Sequence, residues 1–389
     1  MRISIDDIRP FNDAEAVRAL RRASYNPLAL LISRFVFPDR SCLELSRTLR
    51  QVGSIDDYQR RVMSPLVENA VARTSSGFSF DGFEKISSAG KFLAISNHRD
   101  MILDVALTQW ILLQKGLPLM EVCIGNNLIR DNALMSDLLR SNRMVSVLRG
   151  LPAREMYEAS ACLSEYIRES VTSQRCSVWV AQKEGRAKNG EDRTAQGLLK
   201  MLNMSGKGSF AENFEALNIV PLSISYEYEP CDLFKARELY VSESRKYKKR
   251  HGEDTRSIIE GVRQWKGGIH LSADKPITRE ELAALDGQSG NDRFRLMRRI
   301  LDERIIRGYK LWKTNYIAYD LLHGVEKYRD EYDAEDRGRF VEYVDAKIAK
   351  AGRAVSDLAE FRRVFLGIYA APVSDKKRLL SSNDLSDSE

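Results

Sequence analysis

Four histidines occur in the 389-residue sequence (His98, His251, His270 and His323), and only His98 sits where a short apolar run gives way to a helical pattern with carboxylates close by. A histidine so placed suits general-base work. Neutral imidazole accepts a proton from an alcohol near neutral pH, most effectively when a carboxylate fixes its tautomer and stabilises the imidazolium. Asp100 and Asp104 are both near enough in sequence to supply that carboxylate, and the residues alone leave the choice open. Asp100 also fits as a cap on the first helical turn. Two more polar clusters follow apolar runs: Arg149 after Met144 to Leu148 (MVSVL), and Gln182-Lys183-Glu184-Gly185-Arg186 after Cys176 to Ala181 (CSVWVA). Arginine at such a place can grip phosphate or carboxylate in two-point fashion.

Other chemistries find less support. The five cysteines, Cys42, Cys123, Cys162, Cys176 and Cys231, are scattered without C-x-x-C spacing, which argues against a disulfide framework and a thiolate metal site. No second histidine cluster supports a metal beside His98, Asp100 and Asp104, and no bound cofactor is expected. Gly185 to Gly190 (GRAKNG) lacks the Gly-Lys-Ser/Thr ending of a phosphate-cradling loop. Arg245 to Arg250 (RKYKKR) has the composition of a nucleic-acid patch without a binding motif, and reads as a solvated insertion; nucleic acid is not an expected partner.

The elements that must carry these residues follow from pattern. Short apolar runs at Lys91 to Ser96 (KFLAIS), Glu121 to Ile124, Met144 to Leu148, Cys176 to Ala181, Ile219 to Tyr228 and Gly268 to Leu271 read as strands. Helical spacing lies between them, as in Ile102, Leu103, Ala106, Leu107, Trp110 and Leu113. Alternating strands and helices imply an α/β fold, a mixed sheet flanked by helices with helical N- and C-terminal extensions. Ligands of such sheets gather beyond the carboxyl ends of the strands, so the site is expected around His98, Arg149 and Glu184. The chain divides into a helical region at 1–81, an α/β domain at 82–285, a helical region at 286–373 and a disordered tail at 374–389.

At 43% hydrophobic and 30% charged residues the chain can bury a full core. No apolar run approaches the ~20 residues that span a bilayer, and the N-terminus lacks a leader's apolar core, so a cytoplasmic protein, peripheral on a membrane face at most, is expected. Two stretches are basic: Lys235 to Lys266 carries ten Lys/Arg against five Asp/Glu, and Arg293 to Lys313 eight against two. In the second, Phe294, Met297, Leu301, Ile305 and Trp312 form one stripe. That helix reads as an ordinary domain helix or as a surface for anionic lipid or an acidic protein; the apolar run Tyr25 to Pro38 reads as a core helix or an interfacial segment.

Asn97-His98-Arg99-Asp100-Met101-Ile102-Leu103-Asp104 after an apolar strand resembles the first block of the glycerolipid acyltransferase family, which includes the lysophosphatidic acid and glycerol-3-phosphate acyltransferases. Three more blocks resemble the family's in order: Met144 to Arg149, Val178 to Lys188, and Ile219 to Ser223 with its Val-Pro. The resemblance runs from about Gly82 to Ile277. It implies transfer of a fatty acyl group from a thioester, acyl-coenzyme A or acyl-carrier protein, to a hydroxyl of a glycerol-phosphate or lyso-lipid acceptor, foremost 1-acylglycerol 3-phosphate. His98 would be the base with Asp104 or Asp100 as partner, and Asn97, Arg99, Arg149, Glu184, Gly185 and Arg186 would bind substrate. Two departures stand out. The family's four-residue gap after His would land on Leu103, whereas Asp104 follows after five; and the family's Glu-Gly-Thr-Arg is here Glu184-Gly185-Arg186, with Lys188 or Arg193 as basic neighbours. The alternative is a lipid or acyl-carrier binding protein that keeps the fold without transfer; a hydrolase activating water is more distant.

Overall fold

The computed structural model describes residues 3–27, 41–86, 90–128, 133–249, 252–352 and 355–383. Most of the apolar run from Tyr25 to Pro38 lies outside them.

Seven strands form one sheet: β1 Gly77–Asp81, β2 Leu93–Ser96, β3 Glu121–Gly125, β4 Met144–Val147, β5 Val178–Ala181, β6 Ile219–Tyr226 and β7 Gly268–Ala273. Their order is β1-β7-β6-β2-β5-β3-β4, and every pairing is parallel except β6 with β7. β2 and β6 are buried on both faces along their whole length, which is why KFLAIS and IVPLSISY read as continuous rather than alternating apolar runs. The two-residue period sorts side chains between the faces. Val178 and Val180 of β5 join Leu93, Ile95 and Ile219 against the helices Ala153–Thr172, Gln196–Asn203 and Asp292–Gly308. Trp179 points to the opposite face with Ala94, Val220, Leu222 and Tyr226, under the helices Ser64–Thr74 and Leu103–Gln114.

Two satellite cores flank the sheet. At the N-terminal end Leu20, Leu45, Leu49, Val52, Tyr58 and Val62 pack together, and a π-helical turn, Gln59–Met63, leads into the Ser64 helix. At the C-terminal end the helices Asp232–Ser244, Lys313–His323, Ala334–Ile348 and Leu358–Asn383 close around Ile317, Phe340, Phe361, Phe365 and Tyr369.

The structure differs from two expectations and favours one of the two readings of a third element. The sheet begins at Gly77, inside the region read as helical: GFSFD forms β1, paired to β7 in register from Gly77 opposite Gly268. The tail expected to be disordered from Ser374 is helical to Asn383, because Val373 and Asp375 are buried where the helix crosses the 190–194 loop. The basic helix Asp292–Gly308 buries its stripe, Phe294, Met297, Leu301 and Ile305, in the sheet's own core, so that apolar face is not available to a bilayer. Among the described residues no helix is long and apolar enough to cross a membrane.

Candidate active site

β2 ends at Ser96, and the chain then makes a turn whose side chains are almost all anchored. Asn97 is fully buried; its amide donates to the Ile224 carbonyl (2.9 Å) and accepts from the Ile224 N–H (2.8 Å), extending the β2–β6 pairing by a side chain. It also donates to Asp192 (2.9 Å). Arg99 is equally buried, donating to Asp192 (2.6 Å) and the Gly190 carbonyl (2.9 Å), near Glu229 (3.5 Å) and over the Tyr309 ring. Burial works against its charge, but Asp192 and Glu229 prevail and hold the guanidinium above its ordinary range. Asn97 and Arg99, read from sequence as substrate contacts, are buried here and engaged as anchors of the turn.

Of the four residues Asn97 to Asp100, His98 alone keeps access to solvent, with 16% of its side chain exposed. Its Nδ1 lies 2.8 Å from Asp104 Oδ2. A carboxylate can only accept, so the proton sits on Nδ1 and Nε2 is left as the basic nitrogen. Asp104, in the first turn of the Leu103 helix, is buried and gathers four donors. Oδ2 takes the His98 Nδ1–H together with the backbone N–H groups of Arg99 (2.6 Å) and Asp100 (2.9 Å), and Oδ1 takes the Tyr226 hydroxyl (2.7 Å). Burial first, and then Asp104, pushes the Tyr226 phenol well above its usual range, so it stays a donor. Trp179 meets the imidazole edge-on, with ring centroids 5.7 Å apart.

Asp100 has a different job. Its Oδ1 accepts the N–H groups of Ile102 (2.9 Å) and Leu103 (2.8 Å), satisfying donors that the start of a helix leaves open. Its other oxygen is buried against Gly261, where an added Cβ would stand 2.2 Å away. Gly261→Ala should therefore destabilise the fold by about 1–3 kcal/mol, read in urea melts, because the neighbour is a fixed carboxylate and not a pliable chain end.

The loops after β4 and β5 meet beside this turn. Arg149 reaches Glu184 (Nη1 to Oε1, 3.4 Å), and Glu184 is largely exposed. Gly185 follows with φ +71°, a left-handed conformation that favours glycine. Arg186 is half-buried, and one of its guanidinium nitrogens has no hydrogen-bond partner among the described residues. The Ala187 N–H donates to the His98 carbonyl (2.7 Å), stitching this loop to the histidine's own backbone. Two residues from the C-terminal helices hold the far side of the loop: Asp302 accepts from the Thr194 N–H (2.6 Å) and Asp375 from the Asp192 N–H (3.4 Å). Burial pushes both of these carboxyls up to about 6. Tyr226, Asp192, Asp302 and Asp375 were not singled out from sequence.

Beside Met101 and Ile102, three and four residues after His98, an apolar cavity of about 170 Å³ opens between the Leu103 helix, the Ser64 helix, β3 and the helix Ala133–Arg140. Val105, Ala106, Trp110, Val122 and Leu138 are among its walls.

Residues 77–225 match the family model described as Acyltransferase. This segment is similar to acyltransferase domains. It runs from β1 to Ser225, the last residue but one of β6, and holds His98, Asp104, Arg149, Glu184 and Arg186. The family model supports, over this segment, the acyltransferase part of the resemblance read from four sequence blocks. β7, Asp302 and Asp375, which brace this segment, lie beyond the matched residues. No curated protein matches the chain. Among solved structures, the 1-acyl-sn-glycerophosphate (LPA) acyltransferase PlsC from Thermotoga maritima is similar at 14% identity and a TM-score of 0.42, over 74% of this chain and 92% of that one.

Proposed function

We propose that the protein moves a fatty acyl group from a thioester, acyl-coenzyme A or acyl-carrier protein, to a hydroxyl of a glycerol-phosphate or lyso-lipid acceptor, foremost 1-acylglycerol 3-phosphate. The observation that carries this reading is an accessible imidazole backed by the buried Asp104, three residues before the wall of an apolar cavity and stitched by its backbone to the loop whose Glu184 pairs with Arg149. His98 Nε2 takes the proton from the acceptor hydroxyl as its oxygen attacks the thioester carbonyl. When the tetrahedral intermediate collapses, the C–S bond breaks and the imidazolium returns its proton to the departing thiolate. Asp104 stays ionised and stabilises the imidazolium between those two events.

The apolar cavity, walled in part by the helix that carries Asp104, suits a segment of the acyl chain, since a space of this size takes a group about as large as benzene. Arg149 suits the acceptor's phosphate. Its present partner is exposed, and an exposed ion pair of this kind contributes at most ~1 kcal/mol, so exchanging Glu184 for a dianionic phosphate is favourable. Glu184, once released, can accept a hydrogen bond from an acceptor hydroxyl.

Mass spectrometry of a lyso-lipid and glycerol 3-phosphate panel, incubated with acyl-coenzyme A or acyl-carrier protein, tests the reading. An acylated acceptor is expected; free fatty acid with no acylated acceptor would make the protein a hydrolase. In Ala106→Phe, which puts a ring into the cavity, kcat/KM for long-chain donors should fall about tenfold or more while short-chain donors are spared. An equal loss for every chain length would remove the cavity from the acyl site.

A further inference from the structure

The apolar cavity and Arg149 account for the acyl chain and the acceptor, but not for the carrier that delivers the thioester. A groove of about 640 Å³ lies between the helix Asp232–Ser244, the start of the helix Glu253–Arg263 and the turn at Ala351 and Gly352. Five cations line it, Arg237, Arg245, Lys246, Lys248 and Arg256, against the single acid Glu253. Arg237 is occupied with the Lys350 and Ala351 carbonyls, and Glu253 accepts the Tyr247 hydroxyl. The other four cations are exposed, and among the described residues none has a carboxylate partner. Such an array of unpaired charge over a concave surface is suited to phosphate esters.

A chain of contacts links the groove's rim to the site. Lys249, next to Lys248, donates to Asp254 (2.7 Å), and Asp254 also accepts from Asn127 (3.0 Å). Asn127 and Arg149 meet over Gly125, where an added Cβ would lie 2.5 Å from one and 3.0 Å from the other. On the opposite wall Lys188 of the site loop pairs with Glu238 of the Asp232 helix. That helix also supplies a ruler. Lys235 touches the Arg99 carbonyl beside His98 (2.7 Å), and Arg245 lies ten residues further on, about 15 Å at the helical rise. A flexible arm on that scale separates the sulfur of coenzyme A from its phosphates.

We infer that this groove binds the nucleotide phosphates of the acyl donor, so that coenzyme A lies across the site with its thioester at His98 and its acyl chain in the apolar cavity. The inference rests on the acyl-transfer reading for its thioester, but the binding itself can be read alone. Calorimetry with free coenzyme A should give a Kd that weakens with salt and rises about tenfold or more in Lys246→Glu plus Lys248→Glu. In the transfer assay the same double variant should raise KM for acyl-coenzyme A by a similar factor. KM for acyl-pantetheine, which lacks the nucleotide, should stay within about twofold of the parent chain, since no charge pair is lost. Unchanged coenzyme A binding would overturn the inference. So would a rise confined to the acceptor's KM, which would give the groove to a lipid phosphate, or a loss confined to acyl-carrier protein, which would give it to an acidic protein surface. Coenzyme A binding that depends on these lysines without any transfer would sink the proposed activity and leave the groove standing.

Discussion

His98→Ala should lower kcat for acyl transfer by roughly 10²–10⁴-fold, the usual contribution of a positioned general base, and leave the fold intact. Among the described residues the imidazole makes one side-chain hydrogen bond and one ring-edge contact, so few specific interactions go with it. Asp104→Asn should come next, at about 10²-fold or more, because it removes the charge that stabilises the imidazolium while its amide can still serve the turn. The asparagine oxygen can accept from His98, Arg99 and Asp100, and its NH₂ can face the Tyr226 oxygen. Tyr226→Phe should cost about tenfold in kcat, the worth of one hydrogen bond to a buried carboxylate, with KM for both substrates unchanged. Asp100→Asn should stay within about threefold, since the amide oxygen can take over the N–H groups of Ile102 and Leu103 at a turn that carries no charge transfer. Steady-state kinetics on the four variants give the order. Full activity in His98→Ala, or an Asp100→Asn loss equal to that of Asp104→Asn, would dismantle the assignment.

The sequence carried the strands well because central parallel strands are apolar on both faces. KFLAIS, CSVWVA and IVPLSISY lie side by side as β2, β5 and β6, and the polar residues that end the first two reach the same crevice. The edge strand β1 was not legible, since GFSFD is mostly exposed and is held by pairing to β7, almost two hundred residues away. The partner of His98 could not be chosen from spacing, because Asp100 and Asp104 differ only in which backbone donors and which strand they face. Tyr226, the group that tells them apart, sits in a strand where a tyrosine reads as core. The enclosure of Arg99 was not legible for a related reason: a charge in a polar turn looks available until Asp192, Glu229 and Tyr309 arrive from elsewhere in the chain to enclose it.

That enclosure sets the largest expected effect on stability. Asp192→Ala leaves the Arg99 guanidinium buried and short of its nearest carboxylate, and removal of one partner from a buried pair costs about 3–5 kcal/mol. Glu229 cannot make up the difference, because it stands 3.5 Å from Arg99 and already takes the Lys235 ammonium at 2.5 Å. Urea unfolding should show a lower midpoint with an unchanged slope. Arg99→Met plus Asp192→Leu removes both charges, and replacing a buried pair by apolar residues of similar volume is often neutral, so most of the stability should return. Transfer should not return with it. Asp192 also receives the Asn97 amide and ties the loop bearing Glu184 and Arg186 to the turn bearing His98. A double variant that melts like the parent chain yet transfers at least about tenfold more slowly would separate the two roles, since an ångström of misplacement at a reacting centre can cost 10²-fold. Recovery of both together would mean that the pair serves the fold alone, and that His98 and the Glu184 loop find their places without it.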